Sequence, residues 1–193
     1  MTFSIQTMNF YHLTSSFRPN EAFIELEESR KVFIQGKFSD QPLQFAPGDL
    51  VLYHTQKRRR LTDMLATGGD LIVSPRMMEI LSQFDVGFLE FFPVPVRNTW
   101  DDKIVDYFFV HVLSSIDFID KEKSDITWYE DGYGGVEKAR SLIIDETKLQ
   151  GRKVFRSPDL FQDTFVSEEV KVALEAAQLT GITFVSVDEY HRN

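Results

Sequence analysis

No cysteine occurs among the 193 residues. Disulfides, thiolate metal sites and cysteine nucleophiles are therefore excluded, and a reducing compartment, the cytoplasm, is expected. Apolar residues never run far enough to span a bilayer, which takes about 20 in succession. The longest such segments, Phe88 to Val96 among them, are broken by Glu90, Pro93 and Pro95. Met1 to Phe10 carries no basic residue and no apolar block of the kind a secretory signal needs. Positive charge is also in deficit, with 21 Lys and Arg against 30 Asp and Glu, a formal net charge of −9. Nucleic-acid binders need a basic face to neutralise phosphates, so no nucleic-acid partner and no membrane partner is expected. An acidic surface keeps a protein soluble and steers it toward basic proteins.

Motifs that carry chemistry are equally sparse. The four histidines, His12, His54, His111 and His191, are scattered, and no pair has the close helical spacing of a metalloenzyme. Gly68-Gly69 lacks the lysine of a phosphate-cradling loop, and Gly132 with Gly134-Gly135 lacks a strand-to-helix context. Ser74 and Ser167 are not in a G-x-S-x-G turn; capping of helix starts accounts for both. Carboxylate pairs such as Asp101-Asp102 or Asp117 with Asp120 have the side chains for acid–base work. Asp117 and Asp120, however, close a strand just before Lys121-Glu122-Lys123, where local turn hydrogen bonding is the default. No catalytic residue, cofactor or metal is expected.

Phenylalanine, in contrast, is abundant at 18 residues, and many of these rings must be core. The opening third reads as strands and loops, with Ala22 to Leu26, Val32 to Ile34 and Leu50 to Tyr53 separated by Gly36, Pro42, Pro47 and Gly48. The basic run Lys57 to Arg60, just before Leu61 to Leu65, reads in an acidic chain as a solvated helix start or loop. An internal echo organises the rest. Ile72-Val73-Ser74-Pro75 and Phe165-Val166-Ser167-Glu168 each precede apolar residues at i, i+3, i+4, i+7 spacing. These are Met77, Ile80, Leu81 and Phe84 in one copy and Val170, Ala173, Leu174 and Ala177 in the other. Ser74 and Ser167 suit N-caps, Pro75 and Glu168-Glu169 suit first turns, and Gly87 and Gly181 offer left-handed exits into Phe88 to Phe92 and Ile182 to Val187. Further strands are expected at Ile104 to Leu113, Ile116 to Ile119 and Arg140 to Asp145. The predicted fold is α+β, with mixed, largely antiparallel sheets and two similar strand–helix–strand units at about 71–92 and 164–187. It is expected to form one domain over 1–193, with a strand-rich N-terminal part at 1–60.

Several stretches resemble bacterial polymorphic-toxin immunity proteins, a family once known only as a domain of unknown function. They are Ile72-Val73-Ser74, Ile116 to Ser124 (IDFIDKEKS), Leu142 to Glu146 (LIIDE), Val154-Phe155-Arg156, and the run from Phe165 through Leu174 to Phe184. The resemblance covers roughly 71–189 and leaves the first 60 residues unassigned. It implies a non-catalytic protein that binds a cognate toxin domain, encoded by an adjacent gene, and protects the producing cell. Partner-binding candidates follow from pairing aromatic rings with carboxylates in expected loops: Trp100, Asp101, Asp102, Trp128, Tyr129, Glu130, Asp131 and Tyr133. The same residues also suit aromatic side chains that pin a loop to the core beside solvated acids. Two other classes remain open. A carboxylate enzyme would bring Asp117, Asp120 and His111 into one cleft with raised carboxyl pKa values, and a small-ligand binder would show an apolar cavity lined by phenylalanines.

Overall fold

The computed structural model describes residues 9–25, 42, 50–113, 115–130, 135–160 and 163–192. Its architecture is α+β and predominantly β, and the two expected strand–helix–strand units form its centre. In the first, β3 (Ile72–Val73) leads into α1 (Pro75–Leu81) and then β4 (Leu89–Pro93). In the second, β11 (Thr164–Ser167) leads into α3 (Glu168–Ala176) and then β12 (Ile182–Ser186). The helices and the strands after them begin at one common offset of 93 residues (168 − 75 and 182 − 89).

Each unit is split by a strand from elsewhere in the chain. Strand β7 (Phe108–Val112) lies antiparallel between β3 and β4, and β1 (Phe10–Ser15) lies antiparallel between β11 and β12. The registers coincide. Phe109 stands opposite Ile72 and Val112 opposite Leu89, as His12 stands opposite Phe165 and Ser15 opposite Ile182. The central strand follows its unit in the first case and precedes it in the second, so the strand orders β3-β7-β4 and β11-β1-β12 are equivalent although the chain order is not. Beyond β11, β10 (Val154–Phe155) adds a fourth strand, while in the first unit Met64 bridges to Val73 at the matching edge.

Contacts between the units are reciprocal. The chain leaving α3 meets the first unit, where Met64 N donates to the Thr180 carbonyl at 3.1 Å and Asp63 accepts from Thr180 N and Oγ1 at 2.8 and 2.9 Å. The chain leaving α1 meets the second unit, where the Asp85 carboxylate accepts from Lys153 N and Val154 N at 2.7 and 2.5 Å. One core fills the space between, joining Val73, Met77, Leu81, Val110 and Val112 to Leu13, Val154, Val166, Val170 and Leu174.

Two further layers cover the outer faces. Over the first unit, Ala22, Ile24, Leu50 and Leu52 pack on Ile72, Phe109 and Val96. Here β2 (Leu52–His54), β5 (Val96–Asn98) and β6 (Ile104–Val105) make a small sheet in which β2 and β5 are parallel. Over the second unit, Phe118, Phe155 and Phe165 interlock edge to face at 5.0 and 5.2 Å from Phe118. The hairpin of β8 (Asp125–Trp128) and β9 (Val136–Ser141) closes this layer together with α2 (Glu146–Leu149), which Asp145 caps.

Some local expectations need correction. Ser74 does cap α1, accepting from Met77 N at 3.3 Å, but Ser167 makes no cap bond, and its buried hydroxyl has no partner. The first left-handed residues after the helices are Asp85 and Gln178, with Gly87 and Gly181 two and three positions further on. Ile116 to Ile119 is no strand; it is held by single bridges, Ser115 to Arg156 and Ile119 to Ile144. Of the two readings of Lys57 to Arg60, the exposed loop holds and the helix start does not: Leu61 to Leu65 is not helical, and Arg60 bridges Glu21. The expected loop from Lys121 contains β8. Val32 to Ile34 lies outside the described residues.

Candidate functional site

The β5–β6 turn carries the first group of sequence candidates, and hydrogen bonds fix its shape. His54 Nδ1 contacts Asn98 Oδ1 at 3.3 Å, and Asn98 Nδ2 donates to Asp101 Oδ1 at 3.0 Å. That same oxygen accepts from Lys103 N at 3.2 Å, while Asp102 takes up the left-handed φ of 54°. Slight burial would raise the Asp101 carboxyl, but Asn98, the Lys103 amide and charge and the Trp100 indole outweigh it and hold the group below the usual carboxylate range. Trp100 meets the buried His54 ring edge to face at 4.8 Å, and His54 Nε2 beneath it has no partner. The turn is therefore held in one shape by the chain's own hydrogen bonds.

Beside it lie exposed apolar residues that the sequence reading did not single out. Tyr53, Arg97 and Ile104 stand opposite one another across β2, β5 and β6. Their neighbours Leu52 and Val96 turn inward and are buried, so strand alternation directs this row to solvent. Tyr53 is 52% exposed, Ile104 55% and Val105 38%. The signal available in the sequence was Ile104-Val105 flanked by Asp101, Asp102 and Asp106, hidden inside an apolar run that reads as core.

The second group of candidates sits elsewhere. Trp128 is in strand β8, half-buried against the phenylalanine layer, with Lys121 Nζ 4.8 Å from its ring. Tyr129 and Glu130 are exposed at the end of the hairpin, whereas Asp131 and Tyr133 lie outside the described residues. The two groups rest on different cores, one over the first unit and one over the second.

The enzyme alternative finds no shared cleft. His111 is buried in β7 against Glu90 at 3.2 Å, while Asp117 pairs with Lys121 and Lys148 over the other layer. The hydrogen bond from Lys123 to Asp120, with the Lys123 amide and charge behind it, lowers the Asp120 carboxyl instead of raising it. Nor do phenylalanines line the two clefts beside His12 and Asp163. One, of about 310 Å³, is bounded by His12, Asp163, Val185, Glu189, Tyr190, His191 and Arg192. The other, of about 170 Å³, takes a single ring, Phe17. Asp163 itself is a junction of the fold: one oxygen meets His12 Nε2 at 3.0 Å, the other accepts from Tyr190 at 2.8 Å and Arg192 at 3.0 Å. Burial pushes its carboxyl up, and these partners more than reverse that, leaving it below the ordinary value. The burial that raises the Tyr190 phenol, with Asp163 beside it, marks the same dry surroundings.

Among the described residues no helix is long and apolar enough to cross a membrane. Compared with known proteins, the chain matches the model of the immunity protein family Imm11 over residues 9–189, which includes the N-terminal strand that the sequence resemblance left unassigned. No curated protein matches it.

Proposed function

Since this chain belongs to the Imm11 immunity protein family, we propose that it neutralises a cognate bacterial toxin by binding the toxin domain one to one, in the cytoplasm of the cell that makes both. The family match carries this reading, and the surface supplies a physical route. A standard interface of roughly 1,600 Å² with a few aromatic anchors ringed by charge is enough to cover an active site. The fixed turn at Trp100, Asp101 and Asp102 beside exposed Tyr53 and Ile104 has that composition. Tyr129 and Glu130, over the other core, form a second, separate contact region. A net charge of −9 speeds capture of a basic toxin and suits one that acts on nucleic acid, whose phosphates the carboxylates would mimic.

Inhibition here is by occupancy, without turnover. The test is co-expression with the toxin domain encoded by the adjacent gene, scored by growth and by co-purification. Rescue together with a stable one-to-one complex is expected. Rescue without a complex, or with a chemically altered toxin or product, would refute inhibition by binding.

A further inference from the structure

Among the described residues, no strand pairs with the outer edge of the small sheet at β6. In the antiparallel ladder with β5, the bonds from Asn98 N to the Lys103 carbonyl and from Val94 N to the Tyr107 carbonyl are both 2.8–2.9 Å. They place 98 with 103 and 94 with 107 as hydrogen-bonded pairs, and alternation makes 97 with 104 a non-bonded pair. The N–H and C=O groups of Ile104 and Asp106 consequently point away from β5, and neither residue has a backbone partner among the described residues beyond that ladder. Edge strands in natural proteins are usually blunted by lysine, proline or a cover. This edge is only two residues long and is flanked by Lys103 and Asp106, yet between those charges it exposes two β-branched side chains, Ile104 and Val105, next to a turn locked by Asp101.

Resting on the reading that the chain neutralises a toxin by binding it, we infer that the toxin docks by adding an extended segment to the β6 edge. Main-chain bonds to Ile104 and Asp106 supply affinity, and alternate side chains supply selectivity. The face that carries Tyr53, Arg97 and Ile104 also carries Asp106 by alternation, so the added segment presents an apolar residue and, two positions on, a basic one. Charge selects this occupant over a second copy. Asp101, Asp102 and Asp106 outweigh Lys103 along the exposed stretch, and the chain as a whole bears −9, so self-pairing sets like charge against like.

Hydrogen exchange on the full chain, with and without the toxin domain encoded by the adjacent gene, tests this directly. The amides of Ile104 and Asp106 are expected to slow by about tenfold or more in the complex. In binding titrations Ile104→Pro removes the outward donor at a position where an edge strand tolerates proline, and is expected to weaken the complex about tenfold or more. Asp106→Lys is expected to weaken it in a salt-dependent way, with melting temperature nearly unchanged for this exposed residue. A stable complex with unchanged exchange at both amides overturns the inference while leaving the proposed function standing. So does a chain that already protects those amides by dimerising alone. A wild-type chain that fails to associate with the toxin domain sinks both.

Discussion

Gly87 and Gly181 have nearly the same backbone, with φ of 86° and 80°, and each lies in the connection between a helix and the strand that follows it. Their surroundings differ completely. A β-carbon on Gly87 would meet nothing within 4 Å, whereas one on Gly181 would lie 2.3 Å from the Met64 carbonyl oxygen, 2.4 Å from Thr62 Oγ1 and 2.5 Å from Thr62 Cβ. The Met64 oxygen is backbone, and it already accepts the Thr62 hydroxyl at 2.6 Å. Relief therefore requires moving the edge of the first unit away from the second. Placing an L side chain in the left-handed region costs about 1–2 kcal/mol, which is the whole expected loss for Gly87→Ala. Gly181→Ala adds an overpacking penalty of about 1–3 kcal/mol, for a total of roughly 2–5. At about 3 °C per kcal/mol for a chain of this size, scanning calorimetry should show Gly87→Ala melting about 3–6 °C low and Gly181→Ala about 6–15 °C low. Equal losses in the two variants would refute the claim that the units touch backbone to backbone at this point.

The two helix-start serines should separate in the same assay. Ser74→Ala removes a cap and a 2.8 Å bond to Asp63 and is expected to cost about 1–2 kcal/mol, while Ser167→Ala, which deletes a buried hydroxyl without a partner, should be neutral or slightly stabilising. Asp163→Asn breaks the junction with His12 and Arg192 and should cost about 3 kcal/mol at pH 7 in urea unfolding. Because the folded Asp163 carboxyl is held below its unfolded value near about 4, the wild type keeps this contribution above that pH and loses it as pH falls through the folded value. The stability of Asp163→Asn should accordingly fall less steeply below about pH 4, and an unchanged slope would contradict the assignment. Trp128→Ala should lower stability by about 2 kcal/mol, since the ring packs on the phenylalanine layer, whereas Tyr129→Ser with Glu130→Lys should leave melting nearly unchanged; loss of stability in the double variant would show that the hairpin end is structural.

The repeated units were legible because their information is local. A serine at each helix start, apolar residues at helical spacing and a following β-branched run locate the strands and helix starts of β3-α1-β4 and β11-α3-β12 within a residue or two, while the helices stop several residues before the glycine exits. What fills the middle of each unit was not legible, since β7 and β1 are brought there by pairings that span tens to more than a hundred residues. Single bridges replaced the strand expected at Ile116 to Ile119 for a similar reason: its partners, Arg156 and Ile144, are short segments that cannot build a ladder. Trp100, Asp101 and Asp102 were singled out as an aromatic ring beside carboxylates in an expected loop, and the structure places them in the β5–β6 turn. Tyr53 was missed because its pairing with Arg97 and Ile104 exists only once β2, β5 and β6 are assembled.

The pairing of the two equivalent units also bears on the proposed recognition. The two units brace each other through matched contacts, Thr180 with Asp63 and Met64 on one side and Asp85 with Lys153 and Val154 on the other. Equivalence ends at the outer faces, one covered by the β2-β5-β6 sheet and the other by the β8–β9 hairpin. Residues such as Ile104 and Asp106 touch neither the shared core nor the junctions, so changes there add independently of the scaffold's stability. If the β6 edge is where the proposed partner binds, altered side chains there should change binding without unfolding the frame, whereas a change at Asp63 or Gly181 should disturb the frame first. Binding loss with intact melting at the edge, set against melting loss at the junctions, is the pattern this division of labour requires.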